Sequence, residues 1–521
     1  MPSEHITTPI KSTINKKLNE LLSEAIGFTF QGKGFLLLLA ALMLGVFVRF
    51  YNLSYFHFMT ADEGVYTQAV YAITKGYVPY KDVFVAHPPV HFLVQCPFML
   101  ISSSLLMVRF LSVLLGLGSI ILLLYAARAL YSERVARLAT IMFALAPYAI
   151  FFNKLALVEN TLLFFATLAF CLFFKYYRNG DRKWLMLSAF FVGVAIMSKY
   201  TMLFVVIVLI AFIAVRKEVK NLILFAACAC IIPLVLLLTI LLSNTFNNFY
   251  VQTVSLQLIR FSLPLSTRMW EIALYSVWIS PLALLAFPAL PLGRKKEDLL
   301  LTFLCIVPLL IMFSGKTFFA HYPLMLTPII CILAARGLDL SLSLSKSSIK
   351  KKVPILFLVG FLIFHFFLAS TAFSGLPTIE FDVRRKLEVA NYVRSITNES
   401  DKIWTTEADI GFFAQRMIVV PDSEFWKFQG FYEDVWGYFG VEYVGQYIGY
   451  PKGLITIADI RKAIEVEKPK VVVIMEFKIA DFLLWNGISN PNYKEIGLAD
   501  YILTHYYLEA EISDIRIYVR K

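Results

Sequence analysis

Apolar stretches of roughly 15–23 residues recur along most of the chain, each about the length a helix needs to cross the hydrocarbon core of a bilayer. They fall near residues 35–51, 107–127, 135–152, 161–177, 184–198, 200–215, 221–243, 270–292, 299–314, 321–335 and 353–372, making about 11 spans. Lipid offers a backbone no hydrogen-bond partners, so segments of this kind must be helices packed together. Composition agrees: 59% of the 521 residues are hydrophobic and only 16% are charged. The fold class expected is therefore a polytopic α-helical membrane protein.

The formal charge of +12 would suggest nucleic acid in a soluble protein. Here it reads as topology, because cytoplasmic loops collect Lys and Arg. Arg128, Arg134 and Arg137 fall between spans, as do Arg178, Arg182 and Lys183, then Arg216, Lys217 and Lys220. Arg294, Lys295 and Lys296 form a further group, followed by Lys346 and Lys350 to Lys352. All share one side with the N-terminal Lys11, Lys16 and Lys17 if the stretch Val90 to Ser103 does not span. That stretch is short and follows Pro88-Pro89, which suits an interfacial segment. The N-terminus is then cytoplasmic, and residues 1–34 are a cytoplasmic leader with no signal-peptide pattern. The expected location is a cell (plasma) membrane, crossed many times, with no nucleic-acid partner.

The transmembrane region is expected over residues 35–375, with a first extracytoplasmic loop at about 52–106. The mixed, charged tail 376–521 is long enough for its own core and reads as an extracytoplasmic α/β domain. In it, "EFDVRRKLEVANYVRSI" places Val383, Leu387 and Ala390 on one helical face, while "KIWTT" and "KVVVIM" read as short buried strands. Between them, Phe425 to Tyr450 is crowded with aromatic residues, suited to core, lipid or sugar. The six cysteines all lie in apolar stretches and form neither a metal-ligand pattern nor a disulfide framework.

Polar residues gather at the outer ends of the spans. The densest group is "TADEGVYTQAVYAITKGYVPYKDVFVAHPPVHF", Thr60 to Phe92, which holds Asp62, Glu63 and His87. Two acids at a helix start can serve simply as dipole partners. With Glu159 at a second outer edge, they can also take a proton from an attacking hydroxyl, and Asp62 with Glu159 could hold a divalent cation. Lys199, Lys316, His321 and His87 lie at outer edges, with Tyr66 and Tyr322 nearby. Snorkelling explains a single Lys. Together these groups suit a phosphate leaving as an anion. Arg109 enters the second span, as an anchor or a substrate contact.

Four stretches carry a resemblance: the opening loop, "RLATIMFALAPYAIFFNKLALVEN", "GVAIMSKYT" and "GKTFFAHYPLMLTP". In this order they resemble the polytopic GT-C glycosyltransferases, in the group related to protein O-mannosyltransferases and the lipid A aminoarabinose transferase. The resemblance covers about residues 35–372. It implies catalytic roles for Asp62, Glu63 and Glu159, and donor-phosphate binding by Lys199, Lys316, His321, Tyr322 and His87. Tyr66 and Arg109 would be further substrate-binding residues. Many relatives carry Lys at the position of His87, and Asp at that of Glu159. The implied activity is inverting transfer of a hexosyl or pentosyl group from a polyprenyl- or dolichyl-phosphate donor, outside the cytoplasm, to a glycan, protein or lipid. The residues themselves fix no cofactor; a divalent metal cation on Asp62 and Glu159 stays open, because two acids without further ligands do not define a site. The alternative is a lipid or solute transporter with an extracytoplasmic domain, which paired repeats and midplane charges would favour.

Overall fold

The computed structural model describes residues 33–53, 56, 59–255, 258, 265–293, 295–344, 360, 383–405, 408–419, 457–475, 498–513 and 515–521. The expected leader, most of the eleventh stretch at 353–372, and the aromatic segment 425–450 lie outside them.

The membrane part begins with α1 (Lys33–Phe50), α2 (Ala61–Thr74), α3 (Val90–Ile101) and α4 (Leu105–Leu130). There follow α5 (Glu133–Ala144), α6 (Pro147–Asn153), α7 (Val158–Asn179), α8 (Arg182–Ile196), α9 (Met202–Val215) and α10 (Val219–Leu242). After a short helical segment at 246–255 come α11 (Leu265–Ala286), α12 (Ala289–Leu292) and α13 (Lys296–Ser314). A 3-10 turn (Tyr322–Leu326) then leads into α14 (Thr327–Leu344). Among the described residues, 6 helical segments are long and apolar enough to cross a membrane, or 7 if α5 and α6, bent by 53°, form one broken span. About eleven spans are expected; of these stretches, the one at 353–372 lies almost wholly outside the described residues, and the others that fall short do so by helix length. α1 and α9 are apolar but shorter than a full span, and α8 has only 15 residues; α3 is also short, in keeping with the interfacial segment expected there, and hydropathy alone does not reveal how long a helix stays regular.

The α5–α6 bend has a local cause. Pro147 has no N–H to offer the Phe143 carbonyl, so the helix breaks there. Arg49, fully buried on α1, fills the gap. Its guanidinium donates to Ala144 O at 2.7 Å, Gly45 O at 3.0 Å and Asn153 Oδ1 at 3.0 Å. At the basic end, buried Asp298 accepts from Tyr131 Oη at 2.7 Å and Arg336 Nε at 3.2 Å, and so joins α4, α13 and α14.

In the C-terminal part, helices α15 (Val383–Ile396), α16 (Ala408–Ala414), α17 (Ile457–Glu467) and α18 (Leu498–His505) accompany four strands. The strands are β1 (Ile403–Thr405), β2 (Val471–Met475), β3 (Tyr506–Ile512) and β4 (Ile515–Arg520), ordered β1-β2-β4-β3. β1 and β2 run parallel, whereas the β2–β4 and β3–β4 pairs are antiparallel. The buried face of α15 runs through Val383, Val389, Ala390 and Val393, while Leu387 is only half-buried. α16 rests on α2. Tyr71 Oη donates to Gln415 O at 3.1 Å, and Gln415 Nε2 donates to Ser103 O at 3.3 Å. A Cβ on Gly64 would stand 3.1 Å from that of Asp409. The helix that carries Asp62 is thus sandwiched between the bundle and the C-terminal part.

Gly193 marks the closest helix approach in the lateral packing of α8 on α10: a Cβ there would lie 2.3 Å from Ala229 O. Small residues at such crossings let backbones touch. Gly193→Val is expected to cost about 1–3 kcal/mol of overpacking, read as a lowered melting temperature and reduced monodisperse yield in detergent.

Candidate active site

Asp62 owes its position to the first turn of α2. Thr60 is the N-cap, and its hydroxyl accepts from Glu63 N at 3.1 Å. The Thr60-x-x-Glu63 spacing is that of a capping box, but the Glu63 carboxylate does not return to the cap. It turns inward to Arg109, which donates to Oε1 from Nε at 2.8 Å and to Oε2 from Nη2 at 2.7 Å. Both side chains are fully buried. Ala156 N adds a third bond to Glu63 Oε1 at 2.7 Å, and Arg109 Nη1 donates to Phe56 O at 2.8 Å. Glu63 is therefore committed to the scaffold rather than to a substrate, because both its oxygens are occupied. Arg109 is an anchor for the same reason. A two-bond guanidinium–carboxylate fork fixes direction as well as distance, and it leaves the neighbouring Asp62 aimed the other way.

On that other side four elements converge. Asp62 comes from α2, and Glu159 from the first turn of α7, where the helix dipole favours an anion. Lys199 follows α8, and His321 precedes the 3-10 turn. His321 Nε2 stands 3.5 Å from Asp62 Oδ2 and 3.5 Å from Glu159 Oε1. Lys199 Nζ forms an ion pair with Glu159 Oε1 and lies 4.3 Å from the centre of the Tyr322 ring. The two carboxylates differ in access: the Asp62 side chain is 24% exposed and that of Glu159 only 1%. The second carboxylate oxygen of Glu159, Oε2, accepts no hydrogen bond among the described residues. A buried oxygen left so is unusual and is available to a polar ligand.

A second layer comes from the Pro-Pro bend. Tyr66 Oη and His87 Nε2 are 2.8 Å apart, so these two pair with each other. His91, one turn beyond His87, places Nδ1 2.9 Å from Thr161 Oγ1, two residues past Glu159. Burial first, and the Lys199 charge second, lower the His91 imidazole to about 3, so it serves as a neutral hydrogen-bonding group. Val90 N donates to Met197 O at 3.0 Å, which ties the start of α3 to the turn that carries Lys199.

Ala320, the residue before His321, is held through both its N–H and its carbonyl. Ala320 N donates to Glu271 Oε2 at 2.8 Å, and Ala320 O accepts from Tyr148 Oη at 2.6 Å. Phe319 stacks on the His321 ring, the planes 10° apart. Sequence reasoning missed His91, Thr161, Glu271 and Tyr148. The only available signal was spacing, since His91 lies four residues after His87; Glu271 and Tyr148 sit within apolar runs far away in the chain. Lys316 departs from expectation. It is exposed, and its ammonium donates to Leu258 O at 3.2 Å rather than to the Asp62–Glu159–Lys199 cluster. Among the described residues no group of three or more His, Cys, Asp or Glu side chains is arranged to hold a metal ion. Asp62 and Glu159, considered as cation ligands, both face the His321 imidazole.

The model of the dolichyl-phosphate-mannose-protein mannosyltransferase family matches residues 86–242. Among curated protein sequences none matches significantly. The structure is similar to ArnT from Cupriavidus metallidurans in the apo state, with a TM-score of 0.66 and 15% identity over 92% of this chain and 97% of that one. The same protein bound to undecaprenyl phosphate gives 0.64 over the same shares, again at 15% identity. The apo oligosaccharyltransferase of Archaeoglobus fulgidus gives 0.59 at 12% identity over 95% of this chain and 75% of that one.

Breaking a buried ion pair by removing one partner costs about 3–5 kcal/mol. Arg109→Ala is therefore expected to lower the melting temperature sharply, and Asp62→Asn, in a part-exposed position, to leave it nearly unchanged; thermal unfolding of both variants in one detergent checks the contrast.

Proposed function

We propose that this chain, which has the fold of the GT-C glycosyltransferase superfamily, transfers a sugar from a polyprenyl- or dolichyl-phosphate donor to an acceptor at the outer membrane surface. The observation that carries the reading is the convergence of one accessible carboxylate, Asp62, with the buried Glu159–Lys199 pair on the His321 imidazole. The protein is a multi-pass membrane protein with a cytoplasmic N-terminus, and the C-terminal part borders the acceptor entrance next to α2.

In the reaction the acceptor nucleophile attacks C1 of the sugar from the face opposite the phosphate. The new bond to C1 forms as the C1–O bond to phosphate breaks, and configuration inverts. Asp62 orients the nucleophile and receives its proton. The lipid phosphate departs with the electron pair. Lys199, with His321 beside it, meets the charge that develops on the departing oxygen. A fixed cation in a water-poor site needs no reorganisation as charge builds. Phosphate is a good leaving group in itself, so the chain need supply no general acid. Glu159 keeps Lys199 in place, and Tyr322 covers the ammonium with its ring. Two carboxylates with the His321 imidazole between them, and Lys199 paired with Glu159, supply the base and the phosphate clamp.

Glu271 and Tyr148 act through His321 and are positioning residues. A shift of about 1 Å in a catalytic group can cost on the order of 100-fold in rate.

Supplying a panel of polyprenyl-phosphate sugars to the purified protein, with product mass spectrometry, tests the reading: one donor is expected to be consumed and its sugar found on an acceptor. Asp62→Asn should retain the fold and lose transfer by about 100- to 10,000-fold, the usual worth of a general base; full activity in that variant rules out the role given to Asp62. Glu271→Ala is expected to lower kcat by about 10- to 100-fold with little change in KM, and Glu271→Gln, which keeps an acceptor for Ala320 N, to restore most of it; equal losses in both variants would contradict positioning through that hydrogen bond.

A further inference from the structure

A groove unrelated to the Asp62 site opens between α9 and α13, with a volume of about 860 Å³. One wall carries Ile207, Ala211 and Val215, and the other Leu299, Phe303 and Val307. Each set follows the four-residue spacing that keeps side chains on one helix face. Eight residues of helix rise about 12 Å, so the two stripes form a trough of that length. Ile207, Val215, Leu299 and Phe303 are exposed, in helices whose surroundings are lipid. A trough open to the bilayer cannot stay empty, since its walls would forfeit their dispersion contacts.

The mouth of the trough is charged. Val215 leads to Arg216, Leu299 lies one turn from Lys296, and Arg178 closes the third side from the end of α7. Arg216 pairs with Glu218 at 2.9 Å and lies over the Tyr177 ring at 5.4 Å. Glu297 also lines the mouth. Neither Arg178 nor Lys296 has an ion-pair partner among the described residues. Three cations therefore stand at the head of an apolar trough, with Glu297 in the lining and Glu218 on Arg216, which leaves the head net positive. An acyl chain fits the walls, and an anionic phosphate fits the head.

We infer that this groove binds an anionic phospholipid of the leaflet at the basic end, its phosphate held by Arg178, Lys296 and Arg216 and one acyl chain lying between α9 and α13. The inference is independent of the sugar-transfer reading, because no residue of the trough belongs to that site. Neutral-headgroup lipids offer the cations no net charge, and a free phosphate leaves the trough unfilled.

Native mass spectrometry of the full chain in detergent tests the assignment, with phosphatidylglycerol, phosphatidylcholine, undecaprenyl phosphate and inorganic phosphate as separate probes. Phosphatidylglycerol should be retained over phosphatidylcholine by about 5- to 30-fold, the effect of one or two surface cations. In Arg178→Gln/Lys296→Gln that preference should fall close to one. Ala211→Trp, which fills the trough and leaves the charges, should reduce phosphatidylglycerol retention. Each variant is first checked for an unchanged melting temperature in lipid-free detergent; if the double variant fails this check, the single variants Arg178→Gln and Lys296→Gln replace it. An unchanged preference in the charge variants overturns the proposal. So does retention of undecaprenyl phosphate above phosphatidylglycerol through the same residues, or displacement of the lipid by inorganic phosphate at equal concentration. Retention indifferent to Ala211→Trp means that protein, not lipid, covers the groove.

Discussion

The buried fork between Arg109 and Glu63 sets the geometry on which the candidate site depends. It joins the first turn of α2 to the first turns of α4, and through Ala156 N it reaches the loop that enters α7. Two charges taken out of water are costly unless their remaining valences are met. Here Glu63 accepts three bonds, and Arg109 Nη1 also donates to the Phe56 carbonyl. Because Glu63 is pinned inward, its neighbour one residue back must face another way, about 100° around the helix. That direction is toward His321.

Around this fixed point the site is assembled from helix ends. Asp62 and Glu159 occupy first turns, Lys199 follows a helix stop, and His321 sits in a short turn between α13 and α14. Helix ends have unpaired backbone groups and favour particular charges, so ionisable residues are tolerated there in a bilayer that excludes them from span centres. The turn that carries His321 would be the loosest of the four. Glu271 and Tyr148, both from helices, grip Ala320 just before it and restrict its freedom.

Much of this could be read from the chain itself. The apolar stretches at 107–127 and 161–177 lie within α4 and α7, and the strands of "KIWTT" and "KVVVIM" form at 403–405 and 471–475. Asp62, Glu159, Lys199, His321 and Tyr322 could be picked out because each is a polar group beside a long apolar run, in four motifs of recognisable order. Helix lengths and breaks could not be read as well. Hydropathy reports how apolar a stretch is, not where a helix bends or stops, and α5–α6 breaks at Pro147 inside a stretch that reads as continuous. Lys316 shows the same limit for the site. It has the same edge position and residue type as Lys199, yet it turns to the Leu258 carbonyl.

The sequence by itself determined that the chain is a bundle of membrane helices, which end carries its basic residues, and which span edges hold ionisable groups. These are properties of composition and one-dimensional spacing, which a bilayer reads directly. Only the tertiary structure decided which acid of the Asp62–Glu63 pair faces the site and which serves the scaffold. It also decided that His91, Thr161, Glu271 and Tyr148 stand behind the cluster. Those outcomes depend on which helices pack together and on how each is rotated about its axis. Contacts between residues as far apart as Tyr148 and Ala320 fix that rotation, and no local pattern encodes it.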